Sequence, residues 1–195
     1  MDRMLGFEPS GVGSIPAGPA KENMKDKFIK LYMDWAKRTA QLSHARRLQV
    51  GAVIVKDDSV ISYGYNGMPA GWDNNCEDKV WDSGAGGWLD PEEIEAKYPY
   101  EGWHEGAQRN VRYGLKTKPE VLHAESNAIA KLAKSNNSGS GADLFVTHMP
   151  CLNCAKLIYQ SGIRRVYYGE NYRDDAGKEF LQKSGVVVSQ IECNK

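Results

Sequence analysis

Two short stretches decide the reading of this chain: His123-Ala124-Glu125, and further on Pro150-Cys151-Leu152-Asn153-Cys154. They spell H-x-E and P-C-x-x-C. A zinc ion that activates water needs three protein ligands and an open fourth position. His123, Cys151 and Cys154 supply three ligands, and Glu125 is left over as an acid/base. Cys151 and Cys154 stand three apart, so at a helix start they share one face. Pro150 pre-sets the entry of that helix. The partial positive charge at a helix N-terminus favours thiolate over thiol. His123 opens a second helical pattern through Ala128, Ile129, Leu132 and Ala133. Glu125 is two positions from His123 and points elsewhere on that helix, so it is not expected to be a fourth ligand.

A closed structural zinc site would need a fourth Cys or His. Cys76, Cys193, His44, His104 and His148 remain, and none is paired at ligand spacing. The open site is therefore favoured over a closed zinc knuckle.

The sequence around these stretches alternates strands and helices. Residues 50–55 and 60–65 are β-branched runs, and Asp57-Asp58-Ser59 between them is turn chemistry, which predicts a hairpin. Residues 144–147 predict a strand that delivers the chain to Pro150, and residues 151–160 the helix carrying both cysteines. In that helix Ala155, Leu157 and Ile158 are expected to face the sheet, and Gly162 to cap it. A strand over 165–168, a helix over 175–183 and a strand over 186–191 follow. Such alternation implies right-handed parallel crossovers. The expected fold is α/β: a three-layer αβα arrangement around a mixed sheet of about five strands. Ahead of it, residues 25–42 predict an amphipathic helix. Phe28, Leu31, Tyr32, Trp35, Ala36, Thr39 and Leu42 recur at helical spacing and are read as core.

Two segments stand apart. Residues 1–23 are rich in Gly and Pro and read as an irregular arm. It is either appended ahead of a start at Met24 or packs on a neighbouring subunit. Residues 72–119 hold Trp72, Trp81, Trp88 and Trp103 among acids and turn residues. So long a loop is uncommon unless functional, so it is expected as an insertion near the site, with a short helix over 91–98. Cys76 and His104 within it are the candidates for a second metal. The remaining residues, 24–195, are expected as one catalytic domain.

Composition bounds the class. The 195 residues hold 25 Lys plus Arg and 25 Asp plus Glu. A protein that lives on nucleic acid usually shows a basic face, so no nucleic-acid partner is expected. Four cysteines, two of them in a metal pattern, argue for a reducing compartment rather than a disulfide scaffold. No apolar run approaches the roughly 18 residues that suggest a membrane span. A soluble cytoplasmic enzyme is expected, in the host cytoplasm if the source is viral.

With these residues in hand, the chain resembles the deoxycytidylate deaminases of the cytidine deaminase superfamily, phage-type members included, from residue 25 to about 190. The H-x-E and P-C-x-x-C pair is the signature of zinc nucleobase deaminases in general. The narrower resemblance rests on Gln49-Val50-Gly51-Ala52-Val53-Ile54-Val55, on Gly64-Tyr65-Asn66-Gly67-Met68-Pro69, on Lys97-Tyr98-Pro99-Tyr100, on Asn127-Ala128-Ile129, and on Ser161-Gly162-Ile163. It implies one catalytic Zn²⁺ on His123, Cys151 and Cys154, with Glu125 as proton shuttle. It implies substrate contacts from Asn66, Val50 and Tyr172, and hydrolysis of dCMP to dUMP and ammonia. It further implies a dCTP/dTTP effector site at Gly67, Met68, Pro69, Ala70 and Gly71 with Arg47, Mg²⁺ accompanying the triphosphate, and a homo-oligomer, expected as a hexamer. Arg46 or Arg47 is also a candidate for the substrate phosphate. Where some phage members carry a Cys pair for a structural zinc, this chain has Ala45 and Arg46. The competing readings are a polynucleotide deaminase, acting on tRNA or single-stranded DNA, and a non-catalytic zinc scaffold.

Overall fold

The computed structural model describes residues 24–84 and 90–191. The arm over 1–23, Trp88 and Cys193 lie outside them. The chain runs α1 (Asp26–Ala40), β1 (Gly51–Lys56), β2 (Ser59–Tyr65), β3 (Glu77–Trp81), α2 (Pro91–Lys97), β4 (Tyr100–His104), β5 (Arg109–Thr117), α3 (Ala124–Ala133), β6 (Asp143–His148), α4 (Leu152–Gln160), β7 (Arg165–Glu170), α5 (Ala176–Lys183) and β8 (Val187–Gln190).

The main sheet has five strands in the order β2-β1-β6-β7-β8. β1 is antiparallel to both β2 and β6, whereas β6, β7 and β8 are parallel. This is the mixed sheet expected. β1 and β6 are central and buried on both faces, which suits their near-continuous apolar runs. Alternate residues feed two cores. Val53, Val55, Phe145 and Tyr167 meet Tyr32, Met33 and Ala36 of α1 on one face. Ala52, Ile54, Leu144, Val146, Val166 and Tyr168 meet Ala124, Ala128 and Leu132 of α3, Ala155 and Ile158 of α4 and Leu181 of α5 on the other. The result is three layers, with the metal-pattern helices together on one side.

Close packing around the site depends on glycines. A Cβ on Gly64 would lie 2.3 Å from the Ala124 carbonyl oxygen, so only glycine lets α3 rest against β2. Likewise a Cβ on Gly177 would lie 2.0 Å from the Pro150 carbonyl oxygen, so α5 packs directly on the backbone ahead of α4. At the far end of the sheet the buried Asp143 carboxylate accepts from Arg165 at 2.7 and 2.6 Å.

Two packing expectations are corrected. The α1 stripe is core only in part: Tyr32, Ala36 and Thr39 are buried, but Leu31, Trp35 and Leu42 are 42%, 47% and 52% exposed. Periodicity identified the apolar positions but not which of them meet the sheet, and Met33 takes a core position instead. On α4, Ala155 and Ile158 are buried as expected, whereas Leu157 is 45% exposed.

The segment between β2 and α3 is not irregular. β3, β5 and β4 form a separate antiparallel sheet in that order. Its α2 matches the short helix expected. Asp90 caps it, accepting from the Glu93 amide at 2.8 Å, while the Glu93 carboxylate accepts from the Asp90 amide at 3.1 Å.

Candidate active site

His123 and Cys151 are each the residue just before a helix, α3 and α4 respectively. Both have extended backbone, so their side chains lie beside helix N-termini rather than within the helices. Cys154 is in the first turn of α4. His123 Nδ1 lies 3.6 Å from Cys151 Sγ and 3.4 Å from Cys154 Sγ. All three ligand atoms fall within 4.8 Å of one another. Tetrahedral zinc with Zn–S of about 2.3 Å and Zn–N of about 2.0 Å places neighbouring ligand atoms roughly 3.5–3.8 Å apart. The protein therefore presents the three corners of one tetrahedral site. Two thiolates and a neutral imidazole fit Zn²⁺ by chemistry as well as by spacing.

The protonation pattern agrees. Hydrogen bonds from Cys154, then from His123, pull the Cys151 thiol down to about 3. Cys154 is pushed up, first by its bond to Cys151 and then by burial. His123 is raised, chiefly by its bond to Cys151. The three groups thus share protons that a metal displaces on binding.

Glu125 is 4% exposed on α3. Burial raises its carboxyl above the usual range, with its own backbone amide and His123 pulling the other way. A carboxyl raised toward neutrality suits proton transfer in both directions.

The three-ligand set opens into a cavity of about 430 Å³. Its walls include Leu48, Val50 and Asn66 from the β1–β2 side, His123, Glu125 and Cys151 at the site itself, and Asn171, Tyr172 and Arg173 after β7. Asn66 and Val50, both expected at the substrate, face it. The Asn66 side chain also braces this wall, donating to the Leu48 carbonyl at 2.8 Å and accepting from the Val50 amide at 2.8 Å. Tyr172 faces it too. Arg47, expected both for the phosphate and for the effector site, is on the cavity wall. The Gly67–Gly71 loop is not. Gly67 pairs with Leu122 through two backbone hydrogen bonds, and Met68 packs on Ala45, Cys76 and Val121.

The separate sheet supplies the rest of the wall, through Glu77 and Thr117. These two, together with Arg173 and His148, are cavity residues that sequence reasoning missed. Glu77 lies far from the metal motifs in sequence, whereas His148 stands three residues ahead of Cys151 but outside the motif itself. Glu77 lies in an acidic run of the kind usually solvated, and only its burial marks it out. His148 is held by its neighbours, Nδ1 at 3.0 Å from Thr147 Oγ1 and Nε2 at 3.2 Å from Glu170. Cys76 and His104 do not come together as ligands. Among the described residues the only group with metal-ligand geometry is His123, Cys151 and Cys154. Cys76 is buried beside Ala45 and Val121, while His104 Nδ1 accepts from the Ala107 amide at 3.1 Å.

Comparison with known proteins places this geometry. The sequence profile of the cytidine and deoxycytidylate deaminase zinc-binding region matches residues 26–170. Deoxycytidylate deaminase of Enterobacteria phage T4 is 35% identical over 159 residues, 73% of this chain and 79% of that protein. ComE operon protein 2 of Bacillus subtilis is 34% identical over 150 residues, 76% of this chain. The alignment spans only 63% of that relative's length. The crystal structure of dCMP deaminase from cyanophage S-TIM5 in complex with dCMP and dUMP superimposes with a TM-score of 0.66 at 34% identity, covering 87% of this chain and all of that one. The chain belongs to the cytidine and deoxycytidylate deaminase family.

Proposed function

We propose that this protein is a zinc-dependent dCMP deaminase, converting dCMP and water to dUMP and ammonia. The observation that carries this reading is the buried Glu125 beside an open His/Cys/Cys corner, at the base of a cavity with arginines on its walls. The similarity to phage dCMP deaminases supports the substrate. When bound, zinc supplies a Lewis acid that makes water nucleophilic near neutral pH. Glu125 takes a proton from the attacking water and delivers it to cytosine N3. As the water oxygen bonds to C4 and the C4–N4 bond breaks, Glu125 passes the second proton to the leaving amine, which departs as ammonia. Asn66, Val50 and Tyr172 hold the nucleoside, and Arg47 the 5′-phosphate, bidentately as guanidinium groups hold phosphates.

Regulation belongs to the same reading. The Gly67–Gly71 loop follows Asn66 directly, so an effector on it would act on the cavity wall. dCTP as activator and dTTP as inhibitor, each with Mg²⁺, are the effectors proposed there. Exposed Leu31, Trp35, Leu42 and Tyr63 give an apolar face suited to assembly, proposed as a hexamer.

The test is ammonia release from dCMP, dCTP, deoxycytidine and a cytosine oligonucleotide, with each triphosphate added, beside sedimentation. Turnover of dCMP in preference to the others is expected. Preference for the oligonucleotide would move the function to polynucleotides, and no turnover of any would leave a zinc scaffold.

A further inference from the structure

Glu77 is a buried carboxylate without a role in the chemistry above. It begins β3, is 4% exposed, and belongs to the cavity wall. Its Oε1 accepts from two successive backbone amides, Arg46 at 2.9 Å and Arg47 at 3.2 Å. Its Oε2 is buried and has no hydrogen-bond partner among the described residues. Burying a carboxylate is costly unless hydrogen bonds or a paired charge compensate it.

What it organises is visible one rung away. Glu77 pairs directly with Thr117 across the β3–β5 ladder. Thr117 Oγ1 accepts from Arg47 Nη1 at 3.1 Å, and also faces the cavity. One rung of the separate sheet therefore grips Arg47 twice, by its backbone amide through Glu77 and by its guanidinium through Thr117. A guanidinium carries five N–H donors, so most remain for a ligand. Arg46 is turned the other way, its guanidinium 4.9 Å from the Tyr100 ring centroid. The two amides bound to Glu77 thus set which arginine of the pair faces the cavity.

We propose that Glu77 is a positioning residue for recognition of the substrate's 5′-phosphate, acting by holding Arg47 on the cavity wall. The inference rests on the dCMP reading and names how the phosphate would be selected. It makes the separate sheet a specificity wall, not an ornament on the fold.

The experiment compares steady-state kinetics on dCMP and deoxycytidine for the wild type, Glu77→Ala, Glu77→Gln and Thr117→Val, with zinc content and Tm alongside. In Glu77→Ala, KM for dCMP is expected to rise about tenfold or more, the size of a lost charge-assisted hydrogen bond, with a smaller change in kcat. The loss on deoxycytidine is expected to be several-fold smaller. Glu77→Gln keeps an oxygen for the two amides and alters only the unpaired position, so it should restore most of the discrimination. Thr117→Val should shift the ratio the same way to a lesser degree. Equal losses on both substrates, or a Gln variant as impaired as Ala, would overturn the proposal. If Glu77→Ala does not fold, Thr117→Val decides, and an unchanged ratio there overturns it. A wild type with equal kcat/KM for both substrates would instead sink the phosphate reading itself. A discriminating wild type with unaltered variants sinks only the role of Glu77.

Discussion

The two sheets of this protein are held by different forces. The five-stranded sheet is clamped between helices, and Ala52, Ile54, Leu144, Phe145 and Val146 within it are entirely buried. The three-stranded sheet lies outside that sandwich; among the described residues the end of α2 meets it at Gly114, and its strands are mostly half-buried or exposed. It is held laterally by rings. Trp81 meets His104 edge-on at 4.8 Å and Tyr113 at 5.0 Å, Tyr113 stacks on Tyr100 at 5.5 Å, and Lys79 Nζ lies 4.7 Å from the Tyr113 ring. Apolar burial scales with area and gives a rigid platform, whereas an aromatic pair adds only about 0.5–1.5 kcal/mol beyond its area. The helices packed on the five-stranded sheet carry the metal ligands, where small errors of placement are most costly. The lighter sheet carries only wall residues.

That contrast can be broken by substitution, starting where the effect is largest. Cys151→Ala removes one corner of the metal site and is expected to abolish zinc retention and turnover and to lower Tm, because ligand binding is also folding energy. Elemental analysis and a thermal melt check it, and zinc held at full occupancy would refute the assigned site. Glu125→Gln should keep zinc and substrate affinity while kcat falls on the order of several hundredfold. Near wild-type turnover in that variant would remove Glu125 from the chemistry. Gly64→Ala pushes a methyl into the α3 backbone and should destabilise the rigid region by about 2 kcal/mol, as overpacking does. Denaturant unfolding measures it, and an unchanged midpoint would show that α3 can retreat freely. Trp81→Ala in the ring-held sheet should cost only about 1 kcal/mol globally while loosening 77–117, with zinc occupancy unchanged. Hydrogen exchange should show lost protection confined to that sheet. Loss spreading to β1 and β6 would mean that the two regions unfold together.

The same contrast explains what was legible in the sequence. His123, Glu125, Cys151 and Cys154 were readable because metal chemistry restricts both residue type and spacing. In the β1–β2 hairpin, β1 was readable because a doubly buried strand is apolar almost throughout, and β2 because turn residues separate it from β1. The strand Glu77-Asp78-Lys79-Val80-Trp81 was not: a strand with little burial places charges where the hydrophobic pattern should be. Exposed Trp35 and Leu42 misled for the opposite reason, since helical spacing identifies an apolar face but not what covers it. Arg47 and Glu77 meet only through a hydrogen bond across 30 positions, which no local pattern encodes.

Gly177 bears on the order in which the molecule comes together. The backbone of Pro150, just ahead of both thiols, rests against this glycine of the last helix. During synthesis His123, Cys151 and Cys154 are all made before that support exists. Domains generally fold as units, so the three ligands should stay unassembled on the growing chain until α5 has emerged and docked. Metal capture then becomes a finishing step, and the nascent thiols pass through an interval open to oxidation. Stalled nascent chains of increasing length should acquire zinc only once residue 177 has cleared the ribosome. Capture by a chain on which Cys154 has cleared the ribosome but residue 177 has not would show that the ligands assemble without it.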